Sequence, residues 1–307
     1  MNLSGKTVSL TLLISLTIFG AGTAQEVFVI KTSDIIPYNI CIEGLQERLS
    51  AHTIQIANME GDLEKGRDQL NAVKDKKDVQ VIIAVGPQAA FILAEFTHKA
   101  AKLFCMVLNP EKVIPAEKRY PGVSINIPVG YQLHHIKRAF PDRKRIGVFF
   151  TLPDNKPVVE SLQHEASLLG LDIVGFPITA AADIFPAIAS KNFTPDVLLM
   201  VPDEKINSQK IVEYIIKEAL RRKIPVIGYN SWFAKNGAIM SFIIDYRAVG
   251  VQTGAIAEQL LKNAGADARQ HVESPAHIRV SIDVKTAEKL GIKISPDSIQ
   301  QAHEVIH

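Results

Sequence analysis

Short polar and aromatic side chains recur in this chain directly after its apolar runs. They are Thr32, Ser33 and Asp34 with Tyr38; Gly86, Pro87 and Gln88; Asn109; Thr151 with Asp154 and Asn155; Pro202 and Asp203; Asn230 and Ser231; and Asp245 with Tyr246. Reversible binding is the chemistry such residues offer. Asp34, Asp203 or Asp245 can complement an amine or hydroxyls. Gly86 precedes a helix whose first N–H groups are unpaired and can hold a carboxylate or another anion. Tyr38, Tyr246 and Trp232 add rings on which a second ring can stack. Each residue alone has a competing role in capping a helix or forming a turn, and Asp34, Asp154, Asp203 and Ser231 all stand near helix starts, where short polar side chains are preferred. Taken together they describe a cleft that binds a small molecule.

The patterns of covalent and cofactor chemistry are missing. A nucleophile elbow, a zinc-binding HExxH, a phosphate-binding P-loop and the dinucleotide glycine fingerprint are all absent, so no catalytic residue, cofactor or metal is expected. His134 and His135 are adjacent, and on a helix their side chains point about 100° apart, which prevents chelation without further ligands. They read as a solvated helix surface. Cys41 and Cys105 could pair in an oxidising compartment, but two buried thiols are the preferred reading.

These residues need a frame, and the apolar pattern supplies one. The chain has 307 residues, 47% of them hydrophobic, which is enough for two medium domains. Its 34 basic and 32 acidic side chains are interspersed, leaving no electrostatic footprint for nucleic acid. Runs of strand type at 27–31, 52–57, 79–85 and 103–108 alternate with helical spacing at 37–49, 61–73 and 87–100. The beat restarts after Pro128, with a helix carrying Leu133, Ile136 and Phe140 and strands at 145–150, 172–177, 196–201, 224–229 and 238–243. Strands that are apolar almost throughout belong to parallel sheets covered by helices on both faces. The expected fold is therefore α/β, with two doubly wound lobes, mainly parallel sheets and a cleft at the strand carboxyl ends, where open sheets of this kind bind ligands.

Residues 1–24 have the form of a secretory signal: Lys6, an apolar stretch from Val8 to Gly20, and small residues up to Ala24. The apolar stretch is shorter than the roughly 20 residues a membrane-spanning helix needs. The mature chain is expected to begin near Gln25 and to be periplasmic.

Two stretches go further than pattern. Tyr229 to Leu261 (YNSWFAKNGAIMSFIIDYRAVGVQTGAIAEQLL) and His277 to Ile306 (HIRVSIDVKTAEKLGIKISPDSIQQAHEVI) resemble the carboxyl-terminal half of the ABC-transporter substrate-binding protein family that includes tryptophan- and tyrosine-binding members. TSDIIPY, AVGPQAA, MVLNP and PGVSINIP fit its amino-terminal half. The resemblance implies a periplasmic-binding-protein-like fold of type I, with one lobe built from residues 25–126 and 245–275 and the other from 127–244 and 277–307. It places Ser33, Gly86, Asn155 and Asp245 at ligand-cleft positions. It also implies a monomeric receptor, not an enzyme, that closes on an aromatic amino acid or similar solute and delivers it to a membrane permease; a membrane sensor is the alternative partner. The chain departs from the family pattern at Pro87-Gln88 and in the basic segment Pro110 to Tyr120, which carries Lys112, Lys118 and Arg119.

Overall fold

The computed structural model describes residues 26–153, 155–206, 208–262 and 271–307. The signal-like segment, Gln25 and Asp154 lie outside them. In chain order the first elements are β1 (Glu26–Lys31), α1 (Ile36–Arg48), β2 (Thr53–Asn58), α2 (Leu63–Asn71), β3 (Val79–Val85), α3 (Pro87–Glu95), β4 (Ala101–Val107), α4 (Pro110–Val113) and β5 (Gly122–Ser124). Then come α5 (Val129–Ala139), β6 (Arg145–Thr151), α6 (Lys156–Leu169), β7 (Asp172–Ile178), α7 (Ile184–Ala189), β8 (Val197–Leu199), α8 (Gln209–Arg221), β9 (Val226–Gly228), α9 (Ser231–Lys235) and β10 (Met240–Ile244). The chain closes with α10 (Tyr246–Lys262), β11 (Val272–Glu273), β12 (Ile278–Asp283), α11 (Val284–Leu290), α12 (Pro296–Gln301) and β13 (Glu304–Ile306).

Two sheets result. The first has the order β11-β5-β4-β3-β1-β2 and the second β13-β12-β10-β9-β8-β6-β7. All pairings are parallel except β10 with β12.

Alternation along each strand sends successive side chains to opposite faces. In the first sheet Phe28, Ile30, Ile82, Ala84 and Phe104 meet α2 and α3 through Leu70, Ile92 and Leu93. Val27, Val29, Val81, Ile83 and Cys105 meet α1 and α10 through Leu45, Val249, Ala257 and Leu261. The second sheet is covered in the same way, by α5 and α6 on one face and by α7 and α8 on the other. This double cover is why the strands carry so few polar residues.

The chain passes between the sheets three times, at residues 125–128, 244–246 and 274–277. Ile127, in the first passage, packs against a core of each sheet.

Two local expectations are corrected. The helix expected to run to Ala100 ends at Glu95, because Phe96 takes extended backbone, and its ring stacks on His98. His135 is not on a solvated surface: it is half-buried against Tyr131 and Phe242, while His134 is exposed. The basic segment after Pro110 is partly helical, anchored by buried Ile114 and by Tyr120, whose hydroxyl donates to the Ala90 carbonyl at 2.7 Å.

Candidate functional site

The first wall begins where β1 ends. The buried Thr32 donates its N–H to the Val85 carbonyl, and its Oγ1 accepts the N–H of Ala89 at 3.0 Å in the first turn of α3. Gly86, at φ 94°, joins β3 to that helix, and its N–H donates to the Cys105 carbonyl. A Cβ at Gly86 would lie 2.6 Å from the Tyr38 hydroxyl oxygen and 2.8 Å from Thr32 Oγ1. Backbone conformation and space therefore both demand glycine, and Thr32, Tyr38 and Gly86 form one contact group. Burial, with Cys105 nearby, pushes the Tyr38 phenol up.

Around this group Ser33 and Pro87 are half-buried, and Gln88 is exposed. Asp34 is exposed and already partnered. Lys31 Nζ and Asn39 Nδ2 each donate to its Oδ1 at 2.8 Å, and those bonds hold its carboxyl below the usual carboxylate range. It caps no helix: Ile35 occupies the position before α1. Asn109 takes left-handed backbone, φ 47°, and donates its N–H to Asn126 Oδ1 at 2.8 Å.

The second wall centres on Asp203, 7% exposed. Its Oδ2 accepts from the Thr151 N–H at 2.9 Å, Thr151 Oγ1 at 2.8 Å and Asn155 Nδ2 at 2.6 Å, while Oδ1 accepts the Lys205 N–H at 2.9 Å. Thr151 and Asn155, read together from the sequence at the end of β6 and the start of α6, thus form one hydrogen-bonded unit with Asp203, read apart from them after β8. Burial, with the Asp203 charge beside it, pushes the Tyr229 phenol up. Asn230 caps α9, accepting the N–H groups of Trp232 and Phe233 at 3.0 and 3.3 Å, so the capping role read for Ser231 belongs to its neighbour. Ser231 is exposed, and Trp232 packs edge-on against Phe233 with 5.4 Å between ring centres.

Asp245 follows β10 of the second sheet and opens α10, which packs on the first. Its Oδ1 accepts the Ala248 N–H at 3.0 Å, a capping bond, and Oδ2 lies outside that bond. Tyr246 is half-buried and its phenol is pushed up by burial.

Sequence reasoning did not single out Lys31, Asn39, Asn126 or Tyr229. Only Lys31, three residues before Asp34, left a signal. It also missed a set of exposed aliphatic side chains at the same strand ends: Ile35, Ile36 (75% exposed), Leu108 and Leu152. A concavity of about 340 Å³ beside β5, lined in part by Ile114, Arg119, Tyr120 and Asn126, contains none of the sequence-selected residues. Among the described residues no group of three or more His, Cys, Asp or Glu could hold a metal ion, and no helix is long and apolar enough to cross a membrane.

Residues 37–306 match the ABC transporter substrate binding protein family. The chain belongs to that family. A curated relative, the tyrosine-binding protein of Clostridioides difficile (strain R20291), is 26% identical over 198 residues, 62% of this chain and 56% of the relative. The chain thus spans about half the length of the curated relative it matches.

Two solved structures show this family's fold. The ABC domain from Streptococcus pneumonia in complex with L-Trp is 22% identical, with TM-score 0.63, covering 92% of this chain and 100% of its own. The ligand-free, open form of a substrate binding protein with adhesive properties from Clostridium difficile is 20% identical, with TM-score 0.77, covering 92% and 99%. Members of this family are substrate-binding proteins.

Proposed function

We propose that this chain is an extracytoplasmic solute receptor that closes on an aromatic amino acid and presents it to an ABC permease. Residues 25–126 with 245–275 form one closing unit, and 127–244 with 277–307 form the other. One observation carries the reading: each sheet ends, at its strand carboxyl termini, in a prepared polar group, Thr32–Tyr38–Gly86 on one and Thr151–Asn155–Asp203 on the other. The aliphatic side chains exposed at the same ends suit a ligand with an apolar body and polar ends.

An aromatic amino acid is the ligand class because one relative is a tyrosine-binding protein and one structural neighbour holds L-Trp. Ser33, Asn109, Asp245 and Tyr246 complete the site, with Asp245 as a carboxylate toward the ligand cation. Lys6, the short apolar stretch and Ala24 support export. Closure requires that the ligand bind the closed form more tightly than the open one, since equal affinity would shift nothing.

Calorimetric titration with tryptophan, tyrosine and phenylalanine tests the proposal. Saturable heat for at least one supports it, and no heat for all three removes aromatic amino acids as the ligand class.

A further inference from the structure

Cys41 lies on α1, three residues beyond Tyr38, and Cys105 lies in β4. Both side chains are 0% exposed, and the two sulfur atoms stand 3.6 Å apart. Each cysteine also occupies a junction. The Cys105 carbonyl accepts the Gly86 N–H beneath the first wall of the candidate site. The Cys41 carbonyl lies at the crossing of α1 and α10, where a Cβ on Gly250 would fall 1.9 Å from it. The backbone on both sides is therefore held, and the thiols face each other within the core.

We propose that Cys41 and Cys105 form a disulfide in the mature protein, a covalent tie between α1 and β4 directly under the candidate ligand site. A disulfide brings two sulfurs to about 2.0 Å, so an approach of about 1.6 Å from the 3.6 Å separation completes it.

The oxidant is the exchangeable disulfide of a thiol oxidoreductase or of glutathione. One cysteine thiolate attacks that disulfide, forming a mixed disulfide and expelling one thiolate of the oxidant. The second cysteine thiolate then attacks the protein sulfur of the mixed disulfide and expels the other. Two protein thiols are oxidised, one oxidant disulfide is reduced to two thiols, and the two cysteine protons pass to the thiolates released.

This exchange belongs to folding, before α1 docks. In the folded chain both thiols are sealed from any oxidant, and the Cys105 partner together with burial pushes the Cys41 thiol well up, away from the reactive thiolate. The same burial shields the finished bond from reductant. It closes a loop of 64 residues that contains β2, α2, β3 and α3, so its principal effect is to restrict the unfolded chain.

The inference borrows its oxidising compartment from the proposed function, whereas the sulfur geometry is independent of it. The test therefore uses refolding in vitro, where location plays no part and no ligand is needed. Full-length mature chain is unfolded in guanidinium with dithiothreitol, refolded with reduced and oxidised glutathione, then denatured and alkylated with N-ethylmaleimide. The expected product is a monomer with no alkylated cysteine, about 2 Da lighter than the reduced chain, and with Tm raised by roughly 5 to 15 °C over protein refolded in dithiothreitol. Two alkylated cysteines on refolded chain with native circular dichroism would overturn the proposal, as would stable glutathione adducts on either cysteine. Titration of the same oxidised sample with the three aromatic amino acids reads the functional proposal separately.

Discussion

A buried carboxylate needs its lone pairs occupied, and Asp203 meets that need with Thr151, Asn155 and the Lys205 amide. Asp203→Ala would leave the Thr151 N–H and hydroxyl without their acceptor, at about 1 to 3 kcal/mol for each donor left buried and unpaired, while Asn155 Nδ2 keeps its longer bond to the Pro202 carbonyl at 3.3 Å. Urea denaturation should show a loss of about 2 to 4 kcal/mol, and an unchanged midpoint would mean that Thr151 finds other acceptors. Asp245 poses a different question, since its Oδ1 already caps α10. Asparagine caps nearly as well as aspartate, so Asp245→Asn should preserve the Tm of the ligand-free protein. It should weaken ligand binding roughly 10- to 150-fold through loss of a charge-assisted contact of about 1.5 to 3 kcal/mol. A lowered Tm with unchanged affinity would assign Asp245 to capping alone. The sequence displays these residues because each follows an apolar run. The bonds among them are hardly displayed: Thr151 and Asp203 are 52 positions apart, and of the two partners that occupy Asp34 only Lys31, three residues before it, leaves a local sign.

Among the elements, α10 was readable on one side only. Val249, Ile256 and Leu260 mark an apolar face, and the core under α1 does receive Val249 fully and the other two in part. The close approach of α1 and α10 rests on Gly250 of α10 and Gly44 of α1, each facing the other helix's backbone, and a glycine inside a helix reads as a weak point, not as a packing surface. Gly250→Ala should separate the two helices or strain them, at about 1 to 3 kcal/mol or more, although alanine is the better helix former. A differential scanning trace with raised Tm would contradict that geometry. On α5, burial against Tyr131 and Phe242, reinforced by Arg138, His303 and His134, holds the His135 imidazole below its ordinary value of 6.5. The unfolded chain takes up this proton at a higher pH than the folded chain does. Stability should therefore fall as pH drops below about 6.5 and level off beneath the folded-state value. Between pH 7.5 and 5.5, the Tm of His135→Asn should fall less than that of the unaltered chain, and equal falls would clear His135 of the effect. The sequence could not show this, because Phe242 reaches His135 from β10, 107 positions away.

For the whole molecule, two sheets joined by three short passages predict hinge motion, with the walls described above as the closing surfaces. Small-angle scattering should record a smaller radius of gyration when a ligand identified by calorimetry is added, and an unchanged profile with bound ligand would show closure to be absent. Alternating strand and helix patterns, restarted after Pro128, made the two α/β units legible in the sequence. The disposition of α10 was harder to read, because β10 and α10 are neighbours in sequence while their cores belong to different sheets. That arrangement bears on the order in which the protein can be made. A ribosome releases residues from the amino terminus onward, so β1 to β5 emerge early with one face of their sheet covered by α1 alone. The side chains that complete its cover, Val249, Ala257 and Leu261, arrive more than a hundred residues later. The second sheet has by then received β6 to β10, while the first still waits for its last helix and for β11. A nascent chain of this topology presents an unfinished apolar surface until α10 has emerged.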